Sequence, residues 1–220
     1  MDIISPVAWQ YALRYSSETD PLLQEIEQYT QQHHREAHML SGQLQGQFLS
    51  LFSRLLRPAA ILEIGTFTGY SALCLAKGLR SNGQLHTIEL REAEATIARQ
   101  FFDRSAYAGQ LHLHQGDARS VLPELLLSWD LVFMDADKVS YIDYFNMILP
   151  SVRPGGFILA DNVFFHGQVF APTPTGKSAK AIAAFNEYIK AHQGVEVLLL
   201  PIRDGISVIQ KKGDVNAEGV

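Results

Sequence analysis

A chain of 220 residues, 47% hydrophobic and 19% charged, can bury one good core but is cramped for two full domains. A net charge of −5 argues against a general polyanion-binding surface, and the lone Cys74 rules out an intrachain disulfide. No apolar run approaches the roughly 20 residues that span a bilayer, and the N-terminus lacks a signal-peptide pattern, so a soluble cytoplasmic protein is expected.

The first 60 residues read as helical. Asp20-Pro21 forms an N-cap and first-turn pair, with Leu22, Leu23, Ile26 and Tyr29 following on one face. Leu44, Phe48, Leu51, Phe52 and Leu55 recur at helical spacing, and Pro58 ends the run. From Ile61, strands and helices alternate. Strands are predicted at 61–64, 85–88, 111–114, 131–134 and 157–159, with helices at 70–79, 93–102, 118–125 and 139–149. This is the rhythm of an α/β, doubly wound, mostly parallel sheet. A helix at 179–190 and strands at 195–200 and 206–210 follow. The Arg203-Asp-Gly205 link is too short for a crossover helix, so the last strand pair is expected to be antiparallel. The expected organisation is a helical extension over 1–60, a domain over 61–212 and a disordered tail over 213–220.

Two short segments carry the chemistry. Asp135-Ala-Asp-Lys138 and Ala160-Asp-Asn162 each follow a short apolar run of buried-strand type. If those strands are neighbours, Asp135, Asp161 and Asn162 converge on one sheet edge. Three oxygen donors without Cys or His suit a hard divalent cation such as Mg²⁺, Mn²⁺ or Ca²⁺. Lys138 would stand beside it. Taken alone, Asp161-Asn162 reads first as a loop cap, and Lys138 has the lesser alternative of a surface lysine at a helix start; the coincidence of all of them favours the metal reading.

Upstream, Gly65 and Gly69 bracket a strand-to-helix turn, and Glu89 closes the next strand, where an acidic side chain grips ribose hydroxyls. Gly116-Asp117-Ala118 follows the third strand. The spacing misses the Gly-x-Gly-x-x-Gly pyrophosphate fingerprint, which tells against a nicotinamide oxidoreductase. Glu63 just before the turn would repel phosphates and welcome an ammonium group, which suits S-adenosylmethionine. Thr175-Gly-Lys-Ser178 mimics the end of a phosphate loop, but Ala171 stands where that loop needs glycine.

With these residues in place, the chain resembles the metal-dependent catechol and caffeoyl-CoA O-methyltransferase family, of the class I S-adenosylmethionine-dependent methyltransferases. The likeness runs from about Met39 to Lys211. Its most family-like passages are Glu63–Ser71, Asp130–Lys138, Leu159–Val163, Ala184-Phe-Asn186 and Asp204-Gly205-Ile206. The resemblance implies a seven-stranded Rossmann-like fold and a homodimer. It also implies that Met39, Glu63, Gly65, Thr66 and Ser71 line the methionine end of S-adenosylmethionine, that Glu89 holds the ribose, and that Asp117 and Ala118 lie near the adenine. Asp135 and Asp137 fall at cofactor-contacting positions. Asp135, Asp161 and Asn162 match the metal ligands, and Lys138 matches the catalytic lysine. His166 stands where the plant caffeoyl-CoA enzymes carry a substrate-contacting Asn.

The implied reaction is methylation of a hydroxyl on a small catechol-like substrate. A phenol, with pKa near 10, is mostly protonated at neutral pH. Chelation by a cation lowers that pKa, and Lys138, partly desolvated, is expected to have a depressed pKa and to take the proton. Phe164, Phe165 and Phe170 suit a cover for an aromatic ring. His33 and His34 read as solvated, and His112 and His114 as one face of a strand. Two rival readings weigh less: methylation of a hydroxylated uridine in tRNA, which the acidic balance disfavours although a patch of Arg35, Lys177 and Lys180 could serve it, and a cofactor-binding module without catalysis, against which Lys138 and the metal ligands argue.

Overall fold

The structure, a computed structural model, describes residues 4–213. All of the expected tail except Gly213 lies outside them. By its internal packing the chain divides at Leu125 into two units.

The unit Pro6–Leu125 begins with three helices, α1 (Pro6–Tyr15), α2 (Pro21–His33) and α3 (Gly42–Leu56). Asp20 caps α2 as its sequence position requires: Oδ1 accepts from the Leu23 N–H at 3.0 Å, with Pro21 in the first turn. Then come β1 (Ala60–Ile64), α4 (Tyr70–Ala76), β2 (Gln84–Glu89), α5 (Glu92–Asp103), β3 (Leu111–Gln115) and the short α6 (Ala118–Val121). The strands lie in the order β3-β2-β1, all parallel, with Glu63 paired to Thr87 and Glu89 to Gln115. Their C-terminal ends therefore share one edge.

The helix predicted over residues 44–55 forms, but its buried stripe is not the apolar one. Gln45, Gly46, Leu49, Ser50 and Ser53 are buried, while Leu51 and Leu55 stand 60% and 80% exposed. Close approach explains the choice. A Cβ on Gly46 would lie 2.7 Å from the Tyr70 ring, and one on Gly78 would lie 2.1 Å from the backbone of Ser53. Small residues are what let α3 pack this tightly on α4 and the turn that follows it. Gly78 also lies just beyond α4, which stops at Ala76 and not at the expected Leu79.

From Leu126 on, the second unit contains β4 (Trp129–Met134), α7 (Tyr141–Ile148), β5 (Val152–Asp161), α8 (Lys177–Ala191), β6 (Val195–Leu200) and β7 (Ile206–Lys211). Their order is β4-β5-β7-β6, with β4 and β5 parallel and β7 antiparallel to both of its neighbours. All six residues of β4 are buried, the signature of a strand covered on both faces. Counted over both units the sheet is seven-stranded and mixed, with helices between its consecutive parallel strands. Among the described residues no helix is long and apolar enough to cross a membrane.

Candidate active site

In the unit Pro6–Leu125, the edge formed by the ends of β1, β2 and β3 gathers most of the residues expected at a cofactor. Gly65 and Gly69 take φ of 98° and 91°, and Phe67 between them takes 50°, a left-handed value that costs a bulky side chain energy. A Cβ on Gly69 would sit 2.7 Å from the Phe102 ring, so glycine is demanded there by both φ and space. The Gly65 N–H donates to the Ile88 carbonyl (3.0 Å), and the Phe67 N–H donates to Glu89 Oε2 (2.8 Å).

Glu89 is buried, and its other oxygen accepts from the Arg91 N–H at 3.0 Å. Arg91 is itself held by Glu36 (2.7 Å) and Glu94 (3.1 Å). Glu63 is fully buried and accepts from the Thr87 hydroxyl; since that hydrogen is committed, Thr66 donates to Thr87. Ser71 is buried in the first turn of α4. Asp117 is exposed and caps α6 by accepting from the Arg119 N–H (2.8 Å), with Ala118 buried beside it.

Met39 belongs to the segment between α2 and α3. It ends a short turn, Ala37–Met39, and is 38% exposed; the Glu36–Arg91 ion pair ties this segment to the edge. His33 is exposed as expected, but His34 is not solvated. Its Nε2 lies 3.1 Å from Glu94, and its ring packs edge-on to Phe67. Arg91 and this closure of His34 were not foreseen from the sequence, because the partners lie far apart along the chain.

In the second unit, register brings the acidic residues together. Met134 is the partner of Ala160 across β4 and β5, so Asp135 and Asp161 leave neighbouring strand ends at the same level. Asp161 is fully buried, with Oδ1 accepting the Asn162 N–H at 2.8 Å; Asn162 follows with φ of 57°. Lys138 Nζ donates to Asp135 Oδ1 (2.7 Å) and to the Tyr141 hydroxyl (2.8 Å). Tyr141, buried at the start of α7, shares its own hydroxyl hydrogen between the carbonyls of Met134 (3.1 Å) and Asp161 (2.9 Å). Asp137 does not join this group; its carboxylate accepts from the Ser140 hydroxyl at 2.8 Å.

The expected depressed pKa of Lys138 is not found. Burial alone would lower it, but the adjacent Asp135, Tyr141 and Asp161 outweigh burial and hold the ammonium above the usual lysine value. His166 is also unlike a buried contact residue: its side chain is 70% exposed, and it is the backbone N–H that is held, by Asp204 Oδ1 at 2.7 Å. Phe164 and Phe170 pack together at 5.1 Å between ring centres, with Phe170 54% exposed.

Among the described residues no three His, Cys, Asp or Glu side chains are grouped to hold a metal ion. The candidate set consists of two carboxylates and one amide, Asp135, Asp161 and Asn162. Two carboxylates at adjacent strand ends, with the Lys138 ammonium paired to Asp135, fit a hard cation with oxygen preference.

A protein-family model described as O-methyltransferase matches residues 13–212. The chain is 36% identical over 160 residues to a catechol O-methyltransferase of Niastella koreensis, covering 71% of this chain and 72% of that one. It is 29% identical over 222 residues to caffeoyl-CoA O-methyltransferase 1 of Nicotiana tabacum, covering 94% and 92%. Among solved structures, an O-methyltransferase from Bacillus cereus in complex with SAH superposes with a TM-score of 0.83 at 31% identity, covering 94% of this chain and 97% of that one.

Proposed function

Since this chain belongs to the O-methyltransferase family, we propose that it methylates one hydroxyl of a small vicinal dihydroxy aromatic compound, with S-adenosylmethionine as donor and a divalent cation as cofactor. The observation that carries this reading is the pairing of Met134 with Ala160, which sets Asp135 and Asp161 side by side with Lys138 on Asp135. Family membership removes the nicotinamide oxidoreductase. The relatives named for catechol and caffeoyl-CoA substrates support a small phenolic acceptor over tRNA.

S-adenosylmethionine supplies a sulfonium methyl group. We assign Glu89 to its ribose, Glu63, Gly65, Thr66, Ser71 and Met39 to its methionine end, Asp117 and Ala118 to its adenine, and Asp137 to a further contact. The hydrogen bonds that the Phe67 and Arg91 N–H groups give to Glu89 hold that carboxylate in place before any ligand arrives, so little ordering remains to be done on binding.

Asp135, Asp161 and Asn162 are the proposed metal ligands, and a divalent cation bound there would orient a chelating diol and lower the pKa of its hydroxyl. Lys138 is the proposed acceptor of the hydroxyl proton. As described it is an ammonium, held so chiefly against burial by Asp135. Engagement of the Asp135 carboxylate by a cation would remove the partner that most opposes burial, and so lower the pKa of the amine. Tyr141 keeps Nζ at the strand ends throughout. His166, exposed on the loop after β5, is the proposed substrate selector, with Phe164 and Phe170 offering apolar surface.

A homodimer is the assembly we propose, supported by apolar side chains left exposed on α1 and α3: Val7, Tyr11, Tyr15, Leu51 and Leu55. The cytoplasm is its proposed compartment. The test of function is a methyl-transfer screen with labelled S-adenosylmethionine against catechols, flavonoids, acyl-CoA phenols and bulk tRNA. Label on a catechol-type acceptor bears the reading out; label on tRNA alone would overturn it.

A further inference from the structure

Asp204 lies in the Arg203-Asp-Gly205 link that precedes β7. Its side chain is only 9% exposed, yet three groups from the loop after β5 converge on it, the His166 ring Nδ1 standing 3.6 Å from Oδ2. Oδ2 accepts from the side-chain amide of Asn162 (3.3 Å), and Oδ1 accepts from the His166 backbone N–H (2.7 Å). The backbone of the same link takes two more bonds from that loop: Phe164 N–H to the Asp204 carbonyl (2.9 Å) and Val163 N–H to the Gly205 carbonyl (3.1 Å).

The loop it holds carries backbone strain. Asn162, Phe165 and His166 all have left-handed φ, at 57°, 44° and 54°, a conformation that costs each non-glycine residue energy. Gly205, at φ 84°, allows the link to come this near, since a Cβ there would stand 2.7 Å from the Phe164 ring. The contact is thus built from both sides.

An Asn side chain has two faces, a donor nitrogen and an acceptor oxygen, and a cation takes only the oxygen. A carboxylate can accept only from the nitrogen. We propose that Asp204 is a positioning residue for the metal centre: by accepting from the Asn162 amide nitrogen it fixes which way that amide is turned, committing its carbonyl oxygen to the cation. Through the His166 N–H the same carboxylate also pins the loop that bears His166. This rests on the assignment of Asp135, Asp161 and Asn162 as metal ligands. Groups that orient a ligand in this manner are worth about 10–100-fold in metal affinity.

The test is titration of the full-length protein with Mn²⁺, followed by the electron paramagnetic resonance signal of the free ion. The proteins are the wild type, Asp204→Ala, Asp204→Asn, Asn162→Ala, the double variant Asn162→Ala/Asp204→Ala, and Asp161→Ala as the ligand control. Asp204→Ala is expected to raise the Mn²⁺ Kd by about 10–100-fold. Asp204→Asn, whose amide oxygen can still accept, is expected to raise it less. In the Asn162→Ala background, loss of Asp204 is expected to change the Kd by less than about twofold, because the residue through which it acts is gone. A merely structural role would lower affinity equally in both backgrounds, and that result overturns the proposal, as does an unchanged Kd in Asp204→Ala. Should Asp204→Ala fail to fold, Asp204→Asn in the two backgrounds decides in the same way. Wild type and Asp161→Ala binding Mn²⁺ alike would overturn the metal assignment itself, and this inference with it.

Discussion

The Lys138 ammonium and the Tyr141 hydroxyl are 2.8 Å apart, one turn of chain from each other, and the hydroxyl in turn reaches the carbonyls that end β4 and β5. The lysine is therefore anchored to the same two strand ends that carry Asp135 and Asp161.

Tyr141→Phe removes that anchor and the hydroxyl donor shared by the two carbonyls. Stability is expected to fall by about 1–3 kcal/mol, the usual cost of a buried polar group losing its partner. Urea unfolding of wild type and variant measures it. A difference below about 0.5 kcal/mol would mean that water replaces the hydroxyl.

Lys138→Ala is expected to lower turnover by about 10²–10⁴-fold, the range for loss of a general base. Calorimetric affinity for S-adenosylhomocysteine should be unchanged, since the residues assigned to that ligand's ribose and methionine end belong to other elements. Near-normal turnover across neutral pH would leave Lys138 a structural part only.

The histidine face of β2 and β3 makes stability depend on pH. His86 lies 2.9 Å from His114, whose ring it stacks on, with the His112 ring tilted to it at 4.7 Å; burial, then the two neighbouring imidazoles, push its pKa down to about 4 from 6.5. His114 is lowered too, chiefly by burial, although Glu124 acts the other way. A depressed histidine pKa means the unfolded chain binds the proton more readily than the folded one. This contribution is therefore full above pH 6.5 and is lost as the pH falls from there towards 4. Unfolding free energies at several pH values across that window should drop for the wild type, and His86→Gln should flatten the slope. Parallel curves would place the acid sensitivity in other groups.

The loop after β5 is expected to choose the product. His166→Ala and His166→Asn should alter the ratio of the two monomethyl products formed from an asymmetric catechol, read by chromatography, while S-adenosylhomocysteine affinity holds. An unchanged ratio in both variants would move selection to other residues.

Much of this architecture was legible along the chain, because it is written in short range. Apolar runs marked β1 to β4, and the acidic residues just beyond 131–134 and 157–159 marked the strand ends. The short Arg203–Gly205 link foretold the antiparallel β7. What escaped notice depends on contacts between distant segments. The buried face of α3 is set by Gly46 against Tyr70 and Gly78 against Ser53, which apolar periodicity does not encode. The raised pKa of Lys138 needs Tyr141 and Asp135 in place around it. Asp204 reads locally as a turn residue and gains its meaning only from Asn162, 42 positions earlier. Strand β5 begins at Val152, ahead of the expected start at 157, and so runs through Pro154-Gly-Gly156.

The central claim is that Asp135, Asp161 and Asn162 hold a divalent cation needed for methyl transfer. It is tested most directly by turnover of a catechol after treatment with excess chelator, followed by addition of Mg²⁺ or Mn²⁺, in wild type and Asp161→Ala. The account predicts that wild-type turnover vanishes and returns with the metal, while Asp161→Ala stays inactive under both conditions yet still binds S-adenosylhomocysteine. Full wild-type activity in excess chelator would contradict it.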